Sequence, residues 1–185
     1  MRGYRVKLEK KSWSLNGATL SVANNGNLGD STGTITLNGG ELLATVNLFS
    51  TSRTINVVNT GILAAAPSGF ANIAGNINVT GGLTIGDSVN NGVVALSGTN
   101  IYAGTTTIVT GATLRVDAAS GLSPNSAFTV DGTLDLRGSS SQVGSLSGIG
   151  TVTNQSGQGA ALTAGSDNSS TTFSGAIQNG GLHWV

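Results

Sequence analysis

The chain has 185 residues, of which 38% are hydrophobic, 9% charged and 4% aromatic, with 29 glycines, 2 prolines and no cysteine. That length suffices for one domain with a core of small aliphatics, and plentiful Leu and β-branched residues at a mean hydropathy of +0.14 exclude a disordered chain. Five of the eight basic residues (Arg2, Arg5, Lys7, Lys10, Lys11) lie in the first eleven positions, leaving three basic against seven acidic residues elsewhere and no electrostatic footprint for nucleic acid or an anionic membrane.

Residues 1–15 form a basic, unpatterned segment. Arg5-Val6-Lys7-Leu8-Glu9 alternates instead of opening an apolar run, so it is not a cleavable signal. No window reaches the 18 or so apolar residues of a membrane-spanning helix, and the aromatics are too few for the girdles of an outer-membrane barrel. From residue 16 a short unit recurs, in which a small polar residue with Gly is followed by an apolar or alternating run. Its copies begin at Asn16-Gly17, Asn38-Gly39, Asn59-Thr60-Gly61, Thr80-Gly81, Thr110-Gly111, Asp131-Gly132 and Gly148-Ile149-Gly150. Alternating stretches precede several of them: Ile35-Thr36-Leu37, Ile77-Asn78-Val79, Thr107-Ile108-Val109 and Phe128-Thr129-Val130.

This pattern predicts an all-β fold, a parallel β-solenoid with rungs of about 20 residues over 16–181, followed by a short tail at 182–185. One stacked repeat cannot bury its apolar face, whereas neighbours share a continuous core. The residues after each glycine, Leu20, Leu42, Ile62, Leu83, Leu114, Leu134 and Val152, are expected to form one internal ladder, with an insertion before Leu114. Asn16, Asn38, Thr60, Thr80, Thr110 and Asp131 are expected to bond from rung to rung at the turns. Val130-Asp131-Gly132-Thr133-Leu134 also fits the tight turn of an antiparallel hairpin, so a meander or sandwich stays open.

Leu96-Ser97-Gly98-Thr99-Asn100-Ile101-Tyr102-Ala103-Gly104-Thr105-Thr106-Thr107-Ile108, with Gly111 and Leu114, resembles the L-x-G-x-N-x-Y-x-G-x-T pattern of the autotransporter-associated β-strand repeat. The stretch Gly144 to Asn154, followed by Phe173-Ser174-Gly175-Ala176-Ile177, is similar to the segment that precedes a further repeat. The resemblance implies a right-handed parallel β-helix, secreted to the bacterial cell surface and joined in its parent chain to a downstream outer-membrane β-barrel. It implies a structural stalk that supports secretion and display, without catalysis. The departures at 1–15 and at Leu182-His183-Trp184-Val185 suggest a piece of a longer passenger, and cut rungs are expected to self-associate.

The residues leave two rival functions open. A polysaccharide-degrading β-helix enzyme would draw on Arg115, Asp117, Asp131, Asp135 and Arg137, the only local charge cluster in the repeats; the one histidine, His183, lies in the tail, and no catalytic, cofactor or metal residue is assigned. Gly29-Asp30-Ser31 and Gly86-Asp87-Ser88 lack the tandem glycine context of calcium-binding nonapeptides and read as turns. An adhesin contacting host surface molecules would use the polar, aromatic-poor loops Asn90-Asn91, 120–125 or 166–172, and of the aromatics Tyr102 is read as lying near a loop. Aligning Leu114-Arg115-Val116-Asp117 with Leu134-Asp135-Leu136-Arg137 predicts that Arg115 lies beside Asp135 and Asp117 beside Arg137.

Overall fold

The computed structural model describes residues 12–78 and 81–180; Val79, Thr80, the first eleven residues and the tail bearing His183 lie outside these. Every named strand pairing is parallel, and the chain winds as a β-solenoid of about 7 turns with some 22 residues per turn. The antiparallel alternative at 128–136 is absent: Ala127–Val130 and Thr133–Asp135 belong to different sheets.

Three sheets wrap the core. Sheet I holds Trp13–Asn16, Ile35–Asn38, Ile55–Val57 and Ile77–Asn78. Sheet II runs in chain order through Thr19–Val22, Gly40–Ala44, Thr60–Ala65, Gly82–Ile85, Thr106–Ile108, Ala127–Val130 and Ser145–Ser147. Sheet III stacks Phe49–Thr51, Phe70–Ile73, Val93–Leu96, Thr113–Val116, Thr133–Asp135, Thr151–Thr153 and Ala176–Gln178. In the first rung a 3₁₀ turn, Asn25–Leu28, stands where sheet III would begin, and Ser141–Val143 pairs with Leu162–Ala164 ahead of the last rungs. Trp13–Asn16 is in register with Ile35–Asn38, so the repeat includes residues ahead of position 16.

Strands this short form because β-branched residues and Leu alternate with polar ones, placing one apolar set inward per strand. Stacking converts those sets into columns. In sheet II, Leu20, Leu42, Leu63, Ile85, Ile108 and Val130 align rung on rung; in sheet III the column is Phe49, Ala71, Val94, Leu114, Leu134, Val152 and Ile177. Each fully buried Leu or Ile contributes about 1.5–3 kcal/mol relative to leaving it exposed.

The expected single ladder is therefore two. Leu20 and Leu42 belong to sheet II, whereas Leu114, Leu134 and Val152 belong to sheet III. Leu83 pairs with Gly61 and Thr106 in a neighbouring column, and Ile62 alternates outward, opposite Glu41 and Thr84. The same polar-Gly turn serves two corners, from sheet I to II in the early copies and from sheet II to III in the later ones. The 31-residue step before Leu114 is thus one turn plus one face. At the first corner the turn chemistry is as expected: Gly17 and Gly39 take φ of 69° and 74°. Asn38 Nδ2 donates to Asn16 Oδ1 at 2.9 Å, and Asn59 Nδ2 to Asn38 Oδ1 at 2.5 Å. The asparagine ladder thus continues through Asn59, one residue ahead of the expected Thr60.

Candidate functional site

The Leu96–Thr106 motif crosses a face that lacks regular strand, and its side chains replace the missing ladder. Asn100, 2% exposed, accepts at Oδ1 from the backbone N–H of Ile77 (2.8 Å) in the rung before and donates through Nδ2 to the carbonyl of Gly121 (2.6 Å) in the rung after. One amide thereby joins three rungs. Tyr102, expected as a loop aromatic, is instead 1% exposed and part of the core.

Its hydroxyl opens a relay whose direction follows from proton counting. Ser126 Oγ donates to the Gly104 carbonyl at 2.6 Å, so Thr106 Oγ1 donates to Ser126 (2.8 Å) and Tyr102 donates to Thr106 (2.8 Å). The motif glycines are set by approach of the preceding rung: a Cβ on Gly98 would lie 2.3 Å from the Gly75 carbonyl oxygen, and one on Gly104 2.0 Å from that of Gly81. Every fixed letter of the motif is therefore occupied in stacking.

Burial pushes the Tyr102 phenol up to about 12, against the opposing Thr106 hydroxyl. Its folded value exceeds the unfolded value near 10, so the native state holds the proton more tightly, and stability present below about pH 10 is lost as pH rises toward 12. Between those limits the loss should total roughly 2–3 kcal/mol. Urea denaturation across that range measures it, and Tyr102→Phe should flatten the slope; an unchanged slope in the variant would assign the effect elsewhere.

The charge cluster shares a sheet but not a centre. Arg115 lies opposite Asp135 in register, as the alignment predicts, yet its guanidinium pairs with Asp117, just past the end of its own strand, at 2.5 Å and covers the Phe70 ring at 4.3 Å from the centroid. Asp135 is 4% exposed and accepts from the backbone N–H groups of Arg137 (3.2 Å) and Gln155 (2.9 Å). The expected Asp117–Arg137 pairing fails because the strand ends at Asp135. Arg137 enters the left-handed region at φ 48° and donates to the Gln155 carbonyl at 3.0 Å. Asp131 accepts from Ile149 N at 3.2 Å.

Asp30 and Asp87 hold turns, as read. Asp30 accepts from Thr32 N, and Asp87 Oδ1 from the N–H groups of Val89 and Asn90. No exposed large hydrophobic among the described residues is aromatic, and among them no group of three or more His, Asp or Glu side chains could gather a metal ion. At the far end of the stack a groove of about 440 Å³ opens between Leu136, Leu146, Val152, Leu162 and Ile177. Ile177 continues the sheet III column and is 72% exposed. Sequence reasoning missed two buried polar groups: Arg53, 1% exposed, and Glu41, 8% exposed. Compared with protein-family models, with curated proteins and with solved structures, the chain matches none.

Proposed function

We propose that this chain is a structural stalk segment of a secreted, surface-displayed bacterial passenger of the autotransporter type, acting in secretion and display without catalysis. The observation that carries the reading is the use of the Leu96–Thr106 motif: Gly98, Asn100, Tyr102, Gly104 and Thr106 all contact neighbouring rungs or each other. A motif conforming to a secreted repeat and spent wholly on stacking suits a load-free spacer. The carboxylates of the charge cluster support it too, since Asp117, Asp131 and Asp135 have separate partners. The groove at Ile177 takes the apolar side chains of a following rung in a longer parent chain, and in the isolated segment it favours self-association.

The test is to join residues 12–180, behind a secretion signal, to an outer-membrane β-barrel and assay protease accessibility on intact cells. The segment is expected to reach the surface as a protease-resistant core. Gly104→Val, which forces a side chain against the Gly81 carbonyl, should reduce the displayed amount several-fold. Retention of the wild-type segment in the periplasm, with a control passenger displayed by the same barrel, would overturn the reading.

A further inference from the structure

The turns of the solenoid repeat one chemically reactive dipeptide. Asn-Gly occurs at Asn16-Gly17, Asn25-Gly26, Asn38-Gly39, Asn91-Gly92 and Asn179-Gly180. In such a step the glycine nitrogen can attack the asparagine side-chain amide, because no Cβ shields it. Attack requires a nitrogen free to give up its proton and an amide free to swing toward it, so a held N–H or a held Oδ1 blocks the reaction.

The first four steps are held. Gly17 N donates to the Asn38 carbonyl at 3.1 Å, Gly39 N to that of Thr60 at 2.7 Å and Gly92 N to that of Ala65 at 3.0 Å. The Asn16 and Asn38 amides are tied into the asparagine ladder as well. Asn25 is fixed at Oδ1 by the Thr51 hydroxyl (2.9 Å) and Arg53 Nε (3.0 Å), so its amide cannot turn without breaking both bonds. Asn179-Gly180 differs. Both residues are exposed just past the strand Ala176–Gln178, and among the described residues neither the Asn179 amide nor the Gly180 N–H has a hydrogen-bond partner.

We infer that Asn179 is the site at which this chain deamidates, and that the carboxylate formed there guards the groove at Ile177 against self-association. The Gly180 nitrogen passes its proton to water as it bonds to Asn179 Cγ; the Cγ–Nδ2 bond then breaks and the nitrogen leaves, with a proton from water, as ammonia. A further water opens the cyclic imide to aspartate or isoaspartate, so the reaction consumes water alone. Asn179 lines the groove. From Gly138 to Gly180 the chain has one charged side chain, Asp167, and the edge strand Ala176–Gln178 has none of the charges that protect sheet edges from pairing. The new carboxylate supplies one beside it, and two copies meeting there would oppose like charges. The reaction stands apart from the stalk reading; only its effect on self-association rests on the groove as read there.

Peptide mapping by mass spectrometry of the full chain, aged at mildly alkaline pH, tests the reaction. The mass gain from replacing NH2 by OH should accumulate at Asn179 at least about tenfold faster than at Asn16, Asn25, Asn38 or Asn91, and the five rates should converge in guanidinium, where no N–H is held. Equal rates in the folded chain, or a faster step at any other Asn-Gly, would overturn the site. Sedimentation tests the consequence. Asn179→Asp should raise the Kd of self-association at least about fivefold, whereas Asn179→Gln, whose longer arm cyclises far more slowly, should associate as the fresh wild type does. An unchanged Kd in Asn179→Asp would overturn the effect on the groove. A wild type that stays monomeric at every concentration would overturn that effect together with the self-association drawn from the stalk reading, while the mass gain alone decides the reaction.

Discussion

Asn100→Ala is expected to destabilise the solenoid by about 2–5 kcal/mol, because it orphans two buried backbone groups, each worth about 1–3 kcal/mol when left unpaired. The groups are Ile77 N and Gly121 O, at 2.8 and 2.6 Å from the amide. They lie on opposite sides of Asn100 in the stack, so one truncation opens two rung interfaces. Guanidinium denaturation with an unchanged m-value is the measurement, and the Tm should fall by about 2–4 °C per kcal/mol. Asn100→Asp makes the outcome specific: it keeps the acceptor for Ile77 N but presents a carboxylate to the Gly121 carbonyl, so it should cost at least as much near neutral pH. A loss below about 1 kcal/mol in both variants would mean that water can take the amide's place.

Arg53→Met should cost about 3–5 kcal/mol, although methionine fills much of the same volume. The guanidinium donates from Nε to Asn25 Oδ1 (3.0 Å), from NH1 to the Gly33 carbonyl (3.2 Å) and from NH2 to the Gly29 carbonyl (2.7 Å). All three acceptors belong to the first rung, in and after the 3₁₀ turn; apolar replacement leaves the Gly29 and Gly33 carbonyls unpaired, while Asn25 Oδ1 keeps the Thr51 hydroxyl. Arg53→Lys keeps the charge but cannot fork to three acceptors, so it should fall between wild type and Arg53→Met. Limited proteolysis localises the damage: cleavage within 25–33 should appear before any in sheet III. Equal stability of wild type and Arg53→Met would show that the first rung does not depend on this side chain.

Strand period and turn positions were legible because both are short-range properties, and their regular recurrence favoured parallel stacking without excluding hairpins. Alternation at Ile35-Thr36-Leu37 or Phe128-Thr129-Val130 marks a strand with one inward face, and recurring Asx-Gly or Thr-Gly turns mark the corners. Which corner each copy occupied was not legible. Asn38-Gly39 and Asp131-Gly132 use similar turn chemistry, so Leu42 and Leu134 looked equivalent while lying in different sheets. Register at Arg115 and Asp135 followed correctly from the alignment, but the hydrogen bonds did not. Where the strand stops after Asp135 depends on the backbone turn at Arg137, which has nothing distinctive in its letters. Arg53, Asn100 and Tyr102 were obscured for another reason. A polar or aromatic residue between small polar ones reads as loop surface, and only stacking shows that another rung covers it.

The 3₁₀ turn Asn25–Leu28 gives the two ends of sheet III different capacities for templating. Phe49–Thr51 begins that sheet with its outer side against the turn, where Thr51 Oγ1 bonds Asn25 Oδ1 at 2.9 Å and Arg53 locks the segment in place. Another chain's strand cannot hydrogen-bond there without displacing the turn. Ala176–Gln178 has Thr151–Thr153 on one side and no strand on the other among the described residues. Strand addition to this sheet is therefore open at one edge only, so pairing through it joins two copies edge to edge and goes no further.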